Sequence, residues 1–188
     1  MKLKARFLTL LAAAGLVLAL SGASLAAEPI FSKPALITAI GQSSDAAIVK
    51  VMLNNKLKMG MDYKLMAQPA DLAGVKTVIM VVGASAKGLG AAGIDLDQEA
   101  ARTKALLKEA KEKGVKVLFM HTGGESRRGK SSNDLIELVL PSADAAVVVA
   151  AGNKDKFISN LAAKRGIPYV EVAKTADAGE AAKGLFKE

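Results

Sequence analysis

The stretch Thr77-Val78-Ile79-Met80-Val81-Val82 is an unbroken run of apolar and β-branched residues. Such a run is typical of a strand that helices cover on both faces of a parallel sheet. Further strand-like runs lie at 36–40, 63–66, 115–120 and 145–149, and helical patterns separate them. This alternation predicts an α/β fold with a three-layer, doubly wound, mostly parallel five-stranded sheet of the flavodoxin-like or Rossmann-like kind.

The connections between these strands indicate where a ligand binds. We expect the strand order 2-1-3-4-5, with residues 168–172 as a shorter, more polar edge strand. The chain then changes direction between strands one and three, and ligands of such folds bind beyond the carboxyl ends there. Three loops meet at this point, at 41–45, 83–96 and 121–133, and the second is a glycine-rich loop. The predicted helices are 46–54, 97–113 with Gly114 as its cap, a helix from 134, 152–165 and 177–186.

The N-terminus has the three parts of a secretory signal over residues 1–26. Cations at Lys2, Lys4 and Arg6 precede an apolar run, 7–20, and a small-residue cleavage site ends at Ala26. The run is shorter than the roughly 20 residues that cross a bilayer. We expect an exported protein, periplasmic or secreted, that is soluble after cleavage and keeps no membrane anchor. An uncleaved N-terminal anchor is the alternative. Residues 27–34 would form an extended leader and 35–188 a single α/β domain.

The amino-acid composition indicates which classes of partner the protein binds. The formal charge of +8 includes three signal cations, which leaves +5 for the mature chain. Such an excess suits a small anionic ligand, but only 4% of residues are aromatic, so stacking platforms for nucleic acid are missing and we expect no nucleic-acid binding. Without cysteine, and with one histidine among scattered acids, we expect no metal site, and no cofactor is indicated. The oligomeric state stays open.

The loop 121–133 carries the strongest signal for a binding site. It holds the only histidine, adjacent arginines, glycines that let a ligand approach the backbone, and hydroxyls before the next helix. Arginine forks near a helix start are a recurring way to hold phosphate or carboxylate. A purely structural role for the arginines is the alternative. Our candidate ligand-binding residues across the three loops are Gly41, Gln42, Ser43, Ser44, Ser85, Lys87, Gly88, Gly90, His121, Gly123, Gly124, Arg127 and Arg128.

Two glycine motifs match nucleotide-binding patterns, and their context disfavours both. Residues 124–131 satisfy G-x-x-x-x-G-K-[ST], yet neither neighbouring strand ends in the aspartate that a phosphate loop needs for magnesium. Residues 88–93 satisfy G-x-G-x-x-G, but they lie several residues beyond the strand, and no acidic residue closes the next strand. We interpret the second motif as a mobile or ligand-wrapping loop.

A weaker pattern supports an enzymatic alternative. Residues 83–87 approach the nucleophile elbow G-x-S-x-G, with Lys87 in place of the last glycine. Ser85 would be the nucleophile of a hydrolase or transferase, and His121 its base. The competing interpretation is that His121 bonds to loop backbone, because no acid is placed to orient its ring.

From Pro34 to the end, the chain resembles an exported bacterial family known only as a domain of unknown function. The matching blocks are Gly41-Gln42-Ser43, residues 88–95, and His121-x-Gly123-Gly124-x-x-Arg127-Arg128-Gly129. The resemblance implies a single α/β domain and no assigned activity, and its pattern does not include Lys130. We therefore expect a binding module in which Arg127 and Arg128 contact an anion, Ser43 and Ser44 donate hydrogen bonds, and residues 88–93 close over the ligand.

Overall fold

The computed structural model describes residues 29–187, and the secretory signal predicted at 1–26 lies outside them. One parallel sheet has the order β2-β1-β3-β4-β5-β6. The α/β fold and the order 2-1-3-4-5 are confirmed, but the sheet has six strands rather than five, because residues 169–172 pair along their whole length with the fifth strand. The strands are β1 (Ala35–Ile40), β2 (Asp62–Tyr63), β3 (Thr77–Val82), β4 (Lys116–His121), β5 (Ala145–Val149) and β6 (Tyr169–Val172).

Helices connect the strands and cover both faces of the sheet. One hydrophobic cluster includes Val78 and Met80 of β3 together with residues of the helices at 96–113, 130–139 and 157–165. A second cluster, on the opposite face, includes Ile79 and Val81 of the same strand. Every residue of β3 is buried, as its continuous apolar run predicts. The helices are α1 (Asp45–Lys50), which continues as a π-helix (Val51–Lys56), α2 (Ala86–Ala91), α3 (Leu96–Lys113), α4 (Lys130–Val139), α5 (Phe157–Arg165) and α6 (Ala178–Lys183).

Several predicted boundaries are wrong. Of the expected strand 63–66 only Tyr63 lies in β2, although the Lys64 amide and the Leu65 carbonyl also form hydrogen bonds with β1. The expected loop 83–96 contains α2, and α4 begins at Lys130 rather than at 134. The helix predicted from 152 begins at Phe157, after a 3-10 turn at Ala150–Gly152. The loop after β4 therefore spans only residues 122–129, and its middle is a 3-10 turn, Glu125–Arg127.

The segment before β1 packs into the domain. Phe31 is fully buried and forms a parallel bridge with Phe186 near the C-terminus. The two rings lie 5.5 Å apart between centroids. Phe31, which lies in the predicted extended leader 27–34, is thus part of the hydrophobic core. Within residues 29–187, we find no helix that is both long and apolar enough to cross a membrane.

Candidate functional site

The loops after β1 and β3 form one connected unit at the switch point of the sheet. The Ser85 amide donates a hydrogen bond to the Gly41 carbonyl at 2.8 Å. Gln42 and Ala84 form an isolated antiparallel bridge between the same two loops. The carboxyl ends of these strands are where doubly wound folds bind ligands.

A buried carboxylate of α3 supports the β1 loop from behind. Glu99 is fully buried, and its Oε1 accepts hydrogen bonds from the Gly41 amide at 2.7 Å and from Gln42 Nε2 at 3.0 Å. Gly41 and Gln42 have φ angles of 94° and 56°. A non-glycine residue in this left-handed region is strained, so the turn depends on contacts such as these.

Arg102 keeps this carboxylate ionised. Its Nε lies 2.8 Å from Glu99 Oε2, and it also donates to the carbonyls of Ala39 at 2.6 Å and Ala67 at 2.8 Å. Burial by itself raises the pKa of Glu99, but hydrogen bonds from Arg102 and from the Gly41 amide outweigh it and hold the pKa below its ordinary value. This pair was not predicted as part of the site. In the sequence, only the i,i+3 spacing of the opposite charges indicates that Glu99 and Arg102 interact.

The glycine-rich segment packs as helix α2 against the β1 loop. Ser85 caps this helix, since its Oγ accepts a hydrogen bond from the Gly88 amide at 3.1 Å. A Cβ at Gly88 would overlap the Gln42 carbonyl oxygen. The interpretation of residues 88–93 as a ligand-wrapping loop is therefore wrong. Gly88 permits close packing, whereas Gly90 and Lys87 are exposed.

Asp45, the first residue of α1, lies at the centre of the site. Its Oδ2 is 3.5 Å from Arg127 Nε, and its amide donates to Ser43 Oγ at 3.3 Å. A Cβ at Gly123 would overlap both the Asp45 carboxylate and the Arg127 side chain, and a Cβ at Gly83 would lie 3.5 Å from each. The structure thus brings Ser43, Gly123 and Arg127 together around a carboxylate that the sequence analysis did not single out.

The two adjacent arginines have different surroundings. In the described part of the chain, the Arg127 side chain makes no hydrogen bond, and it is 28% exposed. Asp45 Oδ2 lies 3.5 Å from its Nε. The Arg127 guanidinium therefore keeps donors that are not used in hydrogen bonds within the described residues.

Arg128 is engaged by the protein itself. Its guanidinium makes two bonds to the Asp155 carboxylate, at 3.0 and 2.9 Å, and also donates to the Gly152 carbonyl at 2.5 Å and to Asn133 Oδ1 at 2.9 Å. It also lies 5.1 Å from the centroid of the Phe157 ring. Arg128 thus ties the β4 loop to the β5 loop, and its donors are largely used.

His121 is completely buried at the end of β4. Its Nδ1 lies 2.9 Å from the Val82 carbonyl oxygen, so Nδ1 carries the hydrogen and Nε2 is an acceptor in the neutral ring. A Cβ at Gly152 would lie 2.6 Å from Nε2. Burial lowers the pKa of His121, and hydrogen bonding to backbone opposes that effect without reversing it.

Four buried polar atoms of this region lack a hydrogen-bond partner among the residues that the structure describes. They are Gln42 Oε1, Asp45 Oδ2, His121 Nε2 and Thr122 Oγ1. All four lie just after β1 or at the end of β4. Buried polar atoms are nearly always paired, so these four need a water or another group as a partner.

The proposed catalytic pair is not assembled in the described structure. Ser85 Oγ caps α2, and His121 Nδ1 bonds to the Val82 carbonyl. No hydrogen bond links Ser85 to His121 among residues 29–187. The geometry therefore adds no support to a hydrolase or transferase.

The remaining candidates lie around this cluster. Ser44 is exposed and makes no side-chain cap to α1. Gly124 is buried with a φ of 61°, which suits glycine. Lys130 binds Asp134 in the next turn of α4 at 2.8 Å, so its ammonium is not turned into the loop. Over the described residues, no group of three or more acidic or histidine side chains is arranged to hold a metal ion.

Comparisons with known proteins indicate the family to which the chain belongs. The model of the family described as "Domain of unknown function (DUF6305)" matches residues 32–186. No curated protein matches the chain. The match begins next to Phe31 and includes every strand and helix described above. The chain therefore belongs to the DUF6305 family.

Proposed function

We propose that this protein is an exported binding module for a small anion, one that carries a phosphate or a carboxylate. The ligand would lie at the carboxyl ends of β1, β3 and β4. The observation that carries the proposal is the cluster of four unpaired buried polar atoms on the loops around Arg127. Gln42 Oε1, Asp45 Oδ2 and His121 Nε2 are acceptors, so waters that accompany the bound anion, rather than the anion itself, would donate to them.

Arg127 is the residue that would contact the anion. It is partly buried, and its only charged neighbour in the described structure is Asp45, at 3.5 Å from Nε. A guanidinium offers five donors in a planar fork that matches phosphate and carboxylate geometry. One edge lies near Asp45 and the other edge remains for the ligand.

The start of α4 supplies a second feature that favours an anion. This ten-residue helix begins after Gly129 without any side-chain cap. Its first amides lack partners within the helix, and the helix dipole adds partial positive charge there. Ser132, in the first turn, accepts a hydrogen bond from the Ala84 amide at 2.9 Å, which holds the helix start beside the β3 loop.

Thermal unfolding against a panel of anions tests the proposal. We expect phosphate or a carboxylate to raise the Tm of the wild-type protein, because a ligand that binds only the folded state stabilises it. Arg127→Ala should abolish the shift. Lys130→Ala is the matched control, since it removes a neighbouring cation that pairs with Asp134 on the surface, and it should keep the shift. The proposal fails if no anion shifts the Tm, or if both variants respond like wild type.

The secretory pattern at residues 1–26 supports the exported part of the proposal. Expression of the full-length sequence in a bacterial host tests it. We expect the mature N-terminus at Ala27 by mass spectrometry and the protein outside the cytoplasm. A cytoplasmic protein that keeps Met1 would contradict export and leave the anion site to be judged separately.

A further inference from the structure

An apolar groove runs along α1 next to the candidate site. It has a volume of about 500 Å³. One wall is the outer face of α1 and its π-helical continuation, and the other is the 3-10 turn before α6. The lining residues are Ser44, Ala47, Ile48, Val51, Met52, Lys56, Thr175 and Ala176.

Each wall of the groove is connected to residues that lie around Arg127. Ser44 directly precedes Asp45, the carboxylate beside Arg127. On the other wall, Thr175 Oγ1 donates to the Thr122 carbonyl at 3.1 Å. Thr122 precedes Gly123, where the Arg127 side chain packs closely. The polar end of the groove is therefore next to Arg127, whose side chain makes no hydrogen bond among the described residues.

Two large apolar side chains that line this groove are exposed, as is typical of a surface that a ligand covers. Ile48 is 45% exposed and Val51 is 42% exposed, although both are large aliphatic residues on a helix. Single exposed apolar residues are ordinary, but these two are one turn apart and line the same depression. Burying them against hydrocarbon would be favourable.

We propose that the ligand is an anionic amphiphile, whose acid group binds Arg127 and whose hydrocarbon chain lies in the α1 groove. This inference rests on the proposed function and names the ligand class. A rise of about 1.5 Å per residue sets the distance from Ser44 to Val51 at about 10 Å, which matches an extended chain of about eight carbons. The simplest ligand of this class is a medium-chain fatty acid.

Lys56 at the far end of the groove is the competing cation. It is exposed, so its ammonium is well hydrated and gains little from a carboxylate. Arg127 is 28% exposed and lies beside unpaired buried atoms. We therefore place the acid group of the ligand at Arg127 and the end of its hydrocarbon chain toward Lys56.

Calorimetric titration of the wild-type protein, expressed from its full-length sequence, tests the inference. The probes are acetate, butanoate, hexanoate, octanoate and decanoate, with octanol as the uncharged comparison. We expect affinity to rise about fourfold or less for each methylene up to about octanoate and then to level off. Octanol should bind more weakly than octanoate, and Arg127→Ala should remove that difference whereas Lys56→Ala should not.

A matched pair of surface variants tests the groove itself. Ile48→Asn should flatten the dependence on chain length and leave acetate binding unchanged. Leu65→Asn is the control, because Leu65 is 42% exposed and is not part of the groove. Both positions are exposed, so neither change should prevent folding.

Each contrary outcome has a distinct meaning. If acetate and octanoate bind equally, the amphiphile is excluded while the anion site stands. If no carboxylate and no phosphate binds, the proposed function itself fails. If Lys56→Ala, rather than Arg127→Ala, removes the preference for octanoate over octanol, the assigned orientation is wrong. If sedimentation shows a dimer that Ile48→Asn dissociates, the groove is an interface between copies of the chain, and the inference is overturned.

Discussion

The Gly41 amide lies 2.7 Å from Glu99 Oε1, so a helix 58 residues further along the chain fixes the turn at the end of β1. The same carboxylate also holds the Gln42 side chain and the Arg102 guanidinium. The conformation of the candidate site therefore depends on a buried ion pair.

Glu99→Gln should strongly destabilise the fold. The change leaves the Arg102 guanidinium, whose side chain is 6% exposed, without its counter-charge. Removing one partner of a buried pair typically costs about 3–5 kcal/mol. Urea unfolding followed by circular dichroism measures the loss.

Glu112→Gln is the control for this prediction. Glu112 pairs with Lys108 at 3.8 Å on the exposed face of the same helix, and both side chains are more than half exposed. Its loss should change the free energy of unfolding by about 0.5 kcal/mol or less. Equal effects of the two substitutions would show that the Glu99 pair does not hold the site.

The stability of the protein should fall as the pH drops below 6.5, because of His121. Burial lowers the pKa of this ring from its ordinary 6.5 in the folded protein. Between the folded pKa and 6.5, the unfolded chain binds a proton that the folded protein does not, so stability rises with pH in this interval. The contribution of His121 is therefore lost as the pH falls from 6.5 through the folded pKa.

The single histidine makes this prediction simple to measure. Proton NMR of the folded protein should give a pKa below 6.5, and urea unfolding at pH 7 and 5.5 should show the drop. His121→Asn keeps a donor near the Val82 carbonyl, and its stability should vary less over this range. A native pKa at or above 6.5 would refute the burial argument.

Two alanine substitutions in α2 should act in opposite directions. A Cβ at Gly88 would overlap the Gln42 carbonyl oxygen, which is main chain and cannot easily move, whereas nothing lies within 4 Å of a Cβ at Gly90. Gly88→Ala should therefore destabilise the domain. Gly90→Ala should stabilise it by about 0.5–1 kcal/mol, because alanine favours helix. Thermal unfolding of both variants gives the comparison, and a stabilising Gly88→Ala would show that α2 does not pack on the β1 loop.

The central strands can be predicted from the local sequence, because a strand that is covered on both faces needs a continuous apolar run. β3 and β5 have the predicted bounds for this reason. Helix α2 could not be predicted, since two of its six residues are glycine, and tertiary packing on Gln42 overrides that propensity.

The site could be predicted only in outline. Gly123 and Arg127 lie in one loop, so their proximity follows from sequence, but the importance of Asp45 and Glu99 depends on contacts between distant segments. From the sequence alone, Arg127 and Arg128 are equally good candidates for the residue that contacts the anion. Only the three-dimensional position of Asp155, in the β5 loop, distinguishes them.

Arg128→Lys should weaken the contact between the β4 and β5 loops and leave anion binding unchanged. A lysine cannot reproduce the paired bonds to Asp155 together with those to Gly152 and Asn133. We expect a loss of about 1–3 kcal/mol in the free energy of unfolding. The control is Lys154→Ala, which removes an exposed pair with Glu125 between the same loops and should cost about 1 kcal/mol or less. In Arg127→Ala, phosphate affinity should be lost and octanoate affinity should fall to that of octanol, whereas Arg128→Lys should retain both affinities. Loss of binding in Arg128→Lys with unchanged stability would instead make Arg128 the residue that contacts the anion.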